Sequence, residues 1–289
     1  MLENKRGQIA VYVIISILII AVVGLFFFFR KPVSGEEAQK IISAQVQPVR
    51  DTVDKCFYFV ARKTLNTMGR QGGYAIPRIE RVSIPATVMP DAPAMTFALL
   101  REGGQYHNYL PSVEEMKDEF ITFMLQNPEF FECLDDFSGF RNIMDVQYGN
   151  LSVKREEMDF GERHGEIVIP FRFPVTLTKG KATTIVSDYE IKIPIDLAKI
   201  HESAATVTNL ISSGQNHIVY LQDFAKTQEQ ELRNDPDSDM LNINSYYYED
   251  LSLGSNDKTV YHNKILFKIG YFNKALDKPF NFYFLVGDE

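Results

Sequence analysis

The two cysteines are the residues of this chain best suited to form a specific bond, and they lie far apart at positions 56 and 133. In an oxidising compartment such a pair can form a disulfide, which stabilises a fold mainly by restricting the unfolded chain. Their spacing is not that of the Cys-x-x-Cys sites that bind zinc or carry out redox reactions. The sequence therefore predicts a Cys56–Cys133 disulfide that joins two helices, with two buried free thiols as the alternative.

An acidic segment at residues 235–239 also has a pattern associated with ligands. Its alternating aspartates match the start of a calcium-binding loop, which needs glycine at its sixth position and a bidentate glutamate at its twelfth. This chain has Met240 and Tyr246 at those two positions, so we interpret the segment as an acidic loop. The histidines likewise show no spacing that is typical of metal ligands.

A second group of ionisable residues could act in acid–base catalysis. Its members are Asp159, Glu162, His164 and Glu166. Glycines lie among them, and an apolar run typical of a strand follows, so we interpret the group as a solvated turn. The sequence therefore predicts no catalytic, cofactor-binding or metal-binding residue, and we interpret the chain as a non-enzyme.

Residues 8–29 are the most informative segment of the chain, an apolar run of 22 residues without a charge. As a helix this run would be about 33 Å long, enough to cross the apolar core of a bilayer. A cleaved secretory signal would be shorter and would end in small residues, whereas four phenylalanines, Arg30 and Lys31 stand here. The sequence predicts an uncleaved transmembrane anchor. Removal near Gly35 and a buried core helix are the alternatives.

The junction before this run resembles the leader of archaeal type IV pilins and archaellins. Lys5, Arg6 and Gly7 directly precede Gln8, the first residue of the apolar run. By this resemblance, a prepilin-type peptidase would cut between Gly7 and Gln8 and leave the hydrophobic helix in the membrane or in a filament. The resemblance implies a cytoplasmic basic leader at residues 1–7 and a subunit that self-associates.

Two features favour an extracytoplasmic position for the chain beyond the anchor. The positive-inside rule does not decide the orientation, because two basic residues flank the apolar run on each side. Asn150 begins an Asn-Leu-Ser sequence that can accept a glycan, and an even number of cysteines fits an oxidising compartment. We therefore predict that the bulk of the chain lies outside the cell membrane, with a cytoplasmic position as the alternative.

A longer part of the chain is similar to uncharacterised membrane-anchored proteins of small-celled archaea. Three segments carry this similarity: Arg-Gln-Gly-Gly-Tyr at residues 70–74, Glu-Cys-Leu-Asp-Asp-Phe at 132–137, and Phe-Pro-Val-Thr-Leu-Thr-Lys-Gly at 173–180. The similarity spans most of the chain and implies no activity.

The rest of the chain has the composition of a folded acidic protein. Aromatic residues make up 12% of the chain, and its net charge of −8 argues against nucleic acid as a partner. Apolar residues recur at helical spacing from residue 36 to Met68, and strand alternation begins after Phe140. Ser112 and Glu115 form a capping-box pattern, and residues 178–181 are typical of a hairpin turn.

These patterns predict an α+β fold. It consists of the N-terminal transmembrane helix, a long amphipathic helix, and an antiparallel-sheet ectodomain crossed by a helix at residues 196–232, with a break at 213–214. The predicted boundaries are a linker at 30–35, a mainly helical lobe at 36–145 and a strand-rich lobe at 146–289.

The function predicted from the sequence is that of a non-catalytic, single-pass, membrane-anchored cell-surface protein, with a self-associating pilin-like subunit as its most specific form. Its partners would be the lipid bilayer, through residues 8–29, and further copies of itself or other surface proteins. The alternatives are an anchored extracytoplasmic ligand-binding or receptor module and an anchored enzyme of unknown reaction.

Overall fold

The computed structural model describes residues 15–22, 35–75, 97–215, 217–234, 239–252 and 260–288. The leader, its junction at Gly7 and Gln8, and most of the apolar run at 8–29 lie outside these described residues. Residues 15–22 of that run are helical (α1). Within the described residues, no helix has the length and apolar character needed to cross a bilayer. The transmembrane helix therefore stays a prediction.

Helix α2, Gly35–Arg70, is the long amphipathic helix that the sequence predicts, and it contains Pro48. Its buried side chains recur every three or four residues and therefore lie on one face of the helix. They include Ile42, Val49, Val53, Cys56, Phe57, Val60, Leu65 and Met68. The helix ends at a turn over residues 71–73.

The shorter helices lie between and beside the strands. They are α3 Val113–Gln126, α4 Glu129–Leu134, α5 Ser138–Arg141, α6 Leu197–Ser212 and α7 His217–Asn234. The predicted capping box of α3 is confirmed, because the Ser112 hydroxyl accepts from the Glu115 amide and the Ser112 amide donates to the Glu115 carboxylate. The helix predicted at 196–232 is two helices, with the break where the sequence places it.

Two five-stranded sheets are present within the described residues. Their strands are β1 Phe97–Glu102, β2 Gln105–Asn108, β3 Asp145–Tyr148, β4 Ser152–Val153, β5 Asp159–Phe160, β6 Ile167–Lys179, β7 Ala182–Ile193, β8 Met240–Ser252, β9 Val260–Phe272 and β10 Phe280–Asp288. The first sheet has the order β2-β1-β10-β9-β8, whereas β6 is the centre of the second and pairs with β3, β4, β5 and β7. The predicted hairpin turn joins β6 to β7.

The first sheet is mixed rather than purely antiparallel. Strand β1 pairs in parallel with β10, and Phe97 lies opposite Leu285. The other pairs among the described strands are antiparallel. The prediction of an antiparallel sheet is therefore correct for most pairs and wrong for this one, because β1 comes from a distant part of the chain and joins the last strand.

Helix α2 lies against both sheets, through contacts with β6 and β7 in one and β10 in the other. Side chains from both sides of position 145 consequently contribute to one hydrophobic core, including Phe57, Phe120, Phe171 and Phe282. The boundary between lobes at 36–145 and 146–289 itself stays a prediction. The fold is α+β with antiparallel-rich sheets, as the sequence predicts.

Candidate functional site

The structure brings the two cysteines together. Cys56 lies on the buried face of α2 and Cys133 on α4, with their Sγ atoms 2.07 Å apart, at disulfide distance, and their Cα atoms 5.6 Å apart. Cys56 is buried, whereas Cys133 is exposed. The pair joins positions 77 residues apart in the sequence and fastens the short helix α4 to the long helix α2.

Aromatic side chains fasten the same two helices from inside the core. The ring of Phe57 on α2 stacks on Phe171 of β6, with ring centroids 3.8 Å apart. Phe130 on α4 meets the Phe57 ring edge-on at 5.9 Å and the Phe173 ring edge-on at 5.1 Å. Edge-on and offset contacts of this kind stabilise aromatic cores beyond the area they bury. The cysteine pair and these aromatic contacts therefore both stabilise the packing of α4 on α2.

The turn that follows α4 has an unusual backbone. Asp135, Asp136 and Phe137 have φ of 43°, 50° and 55°, a left-handed conformation that costs roughly 1–2 kcal/mol per residue for side chains other than glycine. Phe137 is buried, and the Arg141 guanidinium pairs with the Asp136 carboxylate. Burial, this ion pair and the neighbouring cysteine pair hold the segment at residues 132–137 in place.

The predicted glycan acceptor lies on the surface. Asn150 is exposed in the connection between β3 and β4. The amide of the preceding Gly149 donates to the carbonyl of Pro174 at 2.8 Å, which holds this connection against β6. An acceptor asparagine must be accessible to the transferring enzyme, and this position satisfies that requirement.

The group at residues 159–166 is organised around a buried carboxylate. Asp159 is fully buried and accepts hydrogen bonds from the amides of Gly161 at 3.1 Å and Arg163 at 3.2 Å. The Nδ1 atom of His164 lies 2.5 Å from Asp159 Oδ2, although the His164 side chain is 58% exposed. The Asp159 carboxylate therefore holds the loop between β5 and β6 in one conformation through contacts within that loop.

The two glutamates of this group have separate partners. Glu162 pairs with the buried Lys117 ammonium at 2.8 Å and accepts from the Phe160 amide at 2.9 Å. Glu166 lies 3.5 Å from Lys192 on the surface. The interpretation as a solvated turn is thus correct for His164 and wrong for Asp159. The Asp159 carboxylate is buried because it accepts hydrogen bonds from backbone amides of its own loop. Asp159, Glu162 and His164 are in side-chain contact, whereas Glu166 lies apart from them.

The buried Asp159 carboxylate is expected to make the fold sensitive to acid. Burial alone would raise its pKa, but hydrogen-bonding contacts with the His164 and Glu162 side chains and with the Arg163 and Gly161 amides outweigh burial and lower the pKa. A folded-state pKa below the unfolded value contributes stability at neutral pH that is lost as pH falls through the folded pKa. We expect Asp159→Asn to lower the free energy of unfolding at pH 7 by about 1–3 kcal/mol.

Urea unfolding between neutral pH and about pH 3 measures this effect, because the ordinary aspartate pKa is close to 4. The difference between the parent and Asp159→Asn should shrink as the solution is acidified. The matched control is Glu166→Gln, which removes a partly exposed ion pair and should change stability by less than about 1 kcal/mol. An Asp159→Asn difference that stays constant over this pH range would contradict the assignment.

Asp239 is the described part of the acidic segment at 235–239; residues 235–238 lie outside the described residues. The hydroxyl of Tyr271 and the amide of Asn273, the latter at 2.8 Å, both donate to the Asp239 carboxylate. Burial and this neighbouring carboxylate raise the pKa of Tyr271 well above its usual range, so its hydroxyl stays protonated as a donor. Within the described residues, no three His, Cys, Asp or Glu side chains could share a metal ion.

A cleft lies between α2 and the turn that joins β9 to β10. It has a volume of about 350 Å³, within the usual range of small-molecule sites. Three cationic side chains line it, Arg62 and Arg70 from α2 and Lys278 from the turn. Amide and hydroxyl groups add hydrogen-bonding capacity, and apolar side chains complete the walls; these residues are Asn66, Asn281, Tyr283, Ile195, Leu276, Pro279 and Phe280.

The sequence predicts no cleft here, although it contains one part of the signal. Arg62, Asn66 and Arg70 are spaced by four residues and therefore share one face of α2. Nothing local in the sequence indicates that the β9–β10 turn lies opposite that face. Comparisons with protein-family models, with curated proteins and with solved structures found no match to this chain, so its own residues carry the functional argument.

Proposed function

We propose that this chain is a non-catalytic, single-pass membrane protein whose folded part lies on the outer side of the cell membrane. The observation that carries the proposal is the surface of α1, where all eight residues 15–22 are exposed and none is charged. Ile17, Leu18 and Ile20 are between 60% and 71% exposed. An apolar helix surface of this kind is unfavourable in water and favourable in the apolar core of a bilayer.

The cysteine pair supports the outer side of the membrane. Disulfides persist in oxidising, extracytoplasmic environments and are rare in the reducing cytosol. Cys56 and Cys133 lie at bonding distance, and the exposed Asn150 in its acceptor sequence agrees with the same compartment. Both observations support an outward-facing folded part.

Substitution of lysine for Ile17 and Ile19 together tests the anchor. A charged side chain at the centre of a membrane helix costs about 2.5–3.5 kcal/mol on insertion scales, so the double variant should leave the membrane fraction. The parent chain should remain in membranes through an alkaline carbonate wash and be released by detergent. The matched control is Phe59→Lys, which replaces an exposed apolar side chain of α2 and should stay with the membranes. A parent chain found in the soluble fraction would contradict the proposal.

The pilin-like leader makes self-association the most specific form of this proposal. A pilin-like subunit would keep residues 8–29 in the membrane until those helices pack together in a filament. Polymeric material built from this chain in sheared surface fractions would support that form. Chains recovered solely as monomers would contradict it and leave the anchor itself standing.

A ligand-binding module is the second candidate function, and the basic cleft favours it. The chain has a net charge of −8, whereas three cationic side chains line this one cleft. The charge of the cleft is therefore opposite in sign to the net charge of the chain. Such a site attracts anions that the rest of the surface repels.

A further inference from the structure

We infer that the cleft between α2 and the β9–β10 turn binds a small hydroxylated organic anion, of which acidic sugars are the chemical class. The inference specifies the ligand of the second candidate function and does not depend on where the protein lies in the cell. Its basis is the combination of cations, amide groups and apolar walls in one cleft of about 350 Å³.

The cations of α2 are placed by helical spacing. Arg62 and Arg70 lie eight residues apart on the same face as Asn66, so their side chains are directed along one wall of the cleft. The carbonyl end of a helix carries a partial charge of about −0.5, which disfavours an anion. Two full positive charges outweigh it, and Lys278 adds a third from the opposite wall.

The Asp277 side chain competes with a ligand for Arg62. The Asp277 carboxylate lies 3.8 Å from the Arg62 guanidinium, at the outer limit of an ion pair, and its side chain is 91% exposed. A pair at this distance with so exposed a carboxylate contributes little to stability. A ligand carboxylate can therefore replace Asp277 at Arg62 at small cost, and planar guanidinium groups bind carboxylates with two parallel hydrogen bonds.

The walls of the cleft are held in fixed positions. A β-carbon at Gly69 would lie 2.6 Å from the backbone oxygen of Asn281 and 2.8 Å from the Phe280 ring, so α2 approaches β10 as closely as only glycine permits. Ile195 and Phe280 at the cleft are buried core residues. The site is therefore largely formed before any ligand arrives, which lowers the entropic cost of binding.

The remaining lining residues suit hydroxyl groups. The side chains of Asn66 and Asn281 can both donate and accept hydrogen bonds, as a sugar hydroxyl requires of its partners. Burial raises the pKa of Tyr283, a repulsive effect of Tyr246 adds to it, and Arg70 opposes it, so the Tyr283 hydroxyl remains a neutral donor. The apolar side chains Leu276 and Pro279 supply surface for the C–H groups of a sugar ring.

Calorimetric titration of the full chain in detergent micelles with sodium galacturonate tests the inference, and the neutral sugar galactose is the matched probe. We expect galacturonate to bind and galactose to bind at least about tenfold more weakly, because galactose lacks the carboxylate that forms charge-assisted hydrogen bonds with the arginines. Galacturonate binding should weaken at about 1 M salt, where screening is nearly complete.

The variant Arg62→Gln/Arg70→Gln should lose at least about tenfold in galacturonate affinity. Arg172→Gln, which changes an exposed arginine outside the cleft, is the control and should bind as the parent does. Unchanged thermal unfolding of the double variant without ligand establishes that it folds.

Three results would overturn the inference: equal binding of both sugars, full binding by the double variant, or binding of inorganic phosphate in place of galacturonate. None of these results bears on membrane retention, so the inference and the proposed anchor fail separately.

Discussion

Removing the disulfide by Cys56→Ala/Cys133→Ala is expected to lower the free energy of unfolding by about 4–5 kcal/mol. The bond joins positions 77 residues apart, and in the chain-entropy model the stabilisation grows with the logarithm of the loop it closes. For a folded part of this size the loss corresponds to a fall in Tm of roughly 10 °C or more. Urea unfolding followed by circular dichroism measures the first quantity and calorimetry the second.

Reduction provides an independent control for this variant. Cys133 is exposed, so a thiol reductant can reach the bond without unfolding the chain. The reduced parent protein should therefore unfold at nearly the same urea concentration as the double alanine variant, and the reductant should have no further effect on that variant. If reduction leaves the unfolding transition of the parent unchanged, the two sulfur atoms do not form a stabilising bond.

Phe57→Ala is expected to cost about 3–5 kcal/mol of folding free energy, as large-to-small changes of buried phenylalanine do. The side chain is fully buried and contacts Phe171 face to face and Phe130 edge-on, so its loss opens a cavity between α2, α4 and β6. The stack continues from Phe171 to Tyr189, whose ring lies 5.1 Å away. The cavity therefore separates α2 from the centre of the second sheet.

The same helix contains a matched control two residues away. Phe59 is 59% exposed, and Phe59→Ala should change the free energy of unfolding by no more than about 0.5 kcal/mol. Equilibrium urea unfolding of both variants under one set of conditions makes the comparison direct. Similar losses for the two phenylalanines would show that the buried face of α2 has been assigned incorrectly.

The local patterns in the sequence predict much of this fold. The apolar spacing of α2, the Ser112–Glu115 capping box and the break after α6 each depend on neighbours within a few residues. The β6–β7 hairpin is equally local, because its turn lies between two strands that alternate in polarity. In each case the interaction that fixes the structure lies within the segment that shows the pattern.

Features that depend on distant contacts could not be predicted in the same way. The parallel pairing of β1 with β10 joins residues almost two hundred positions apart, as Phe97 and Leu285 show. The burial of Asp159 is a tertiary effect as well, since its residue type is usually exposed and only the surrounding packing encloses it. The pairing of Cys56 with Cys133 was predictable because the chain has no other cysteine.

The basic cleft also depends on contacts between distant parts of the chain and could not be predicted from local patterns. Arg62 and Arg70 were visible as a helical face, but the opposite wall depends on how α2 packs on β10. That packing is set by Gly69, whose importance is evident only when the backbone of Asn281 is seen against it. A sequence pattern on one element cannot identify a site that two elements share.

The oxidation state of Cys56 and Cys133 in the cell tests the proposed outward-facing, anchored protein most directly. Cells are quenched in acid and exposed thiols are alkylated. Membrane and soluble fractions are then separated. In each fraction, the peptides that contain the two cysteines are quantified before and after reduction. We predict that the chain is found in the membrane fraction and that both cysteines react only after reduction. A chain in the soluble fraction whose two cysteines react before reduction would contradict the proposal.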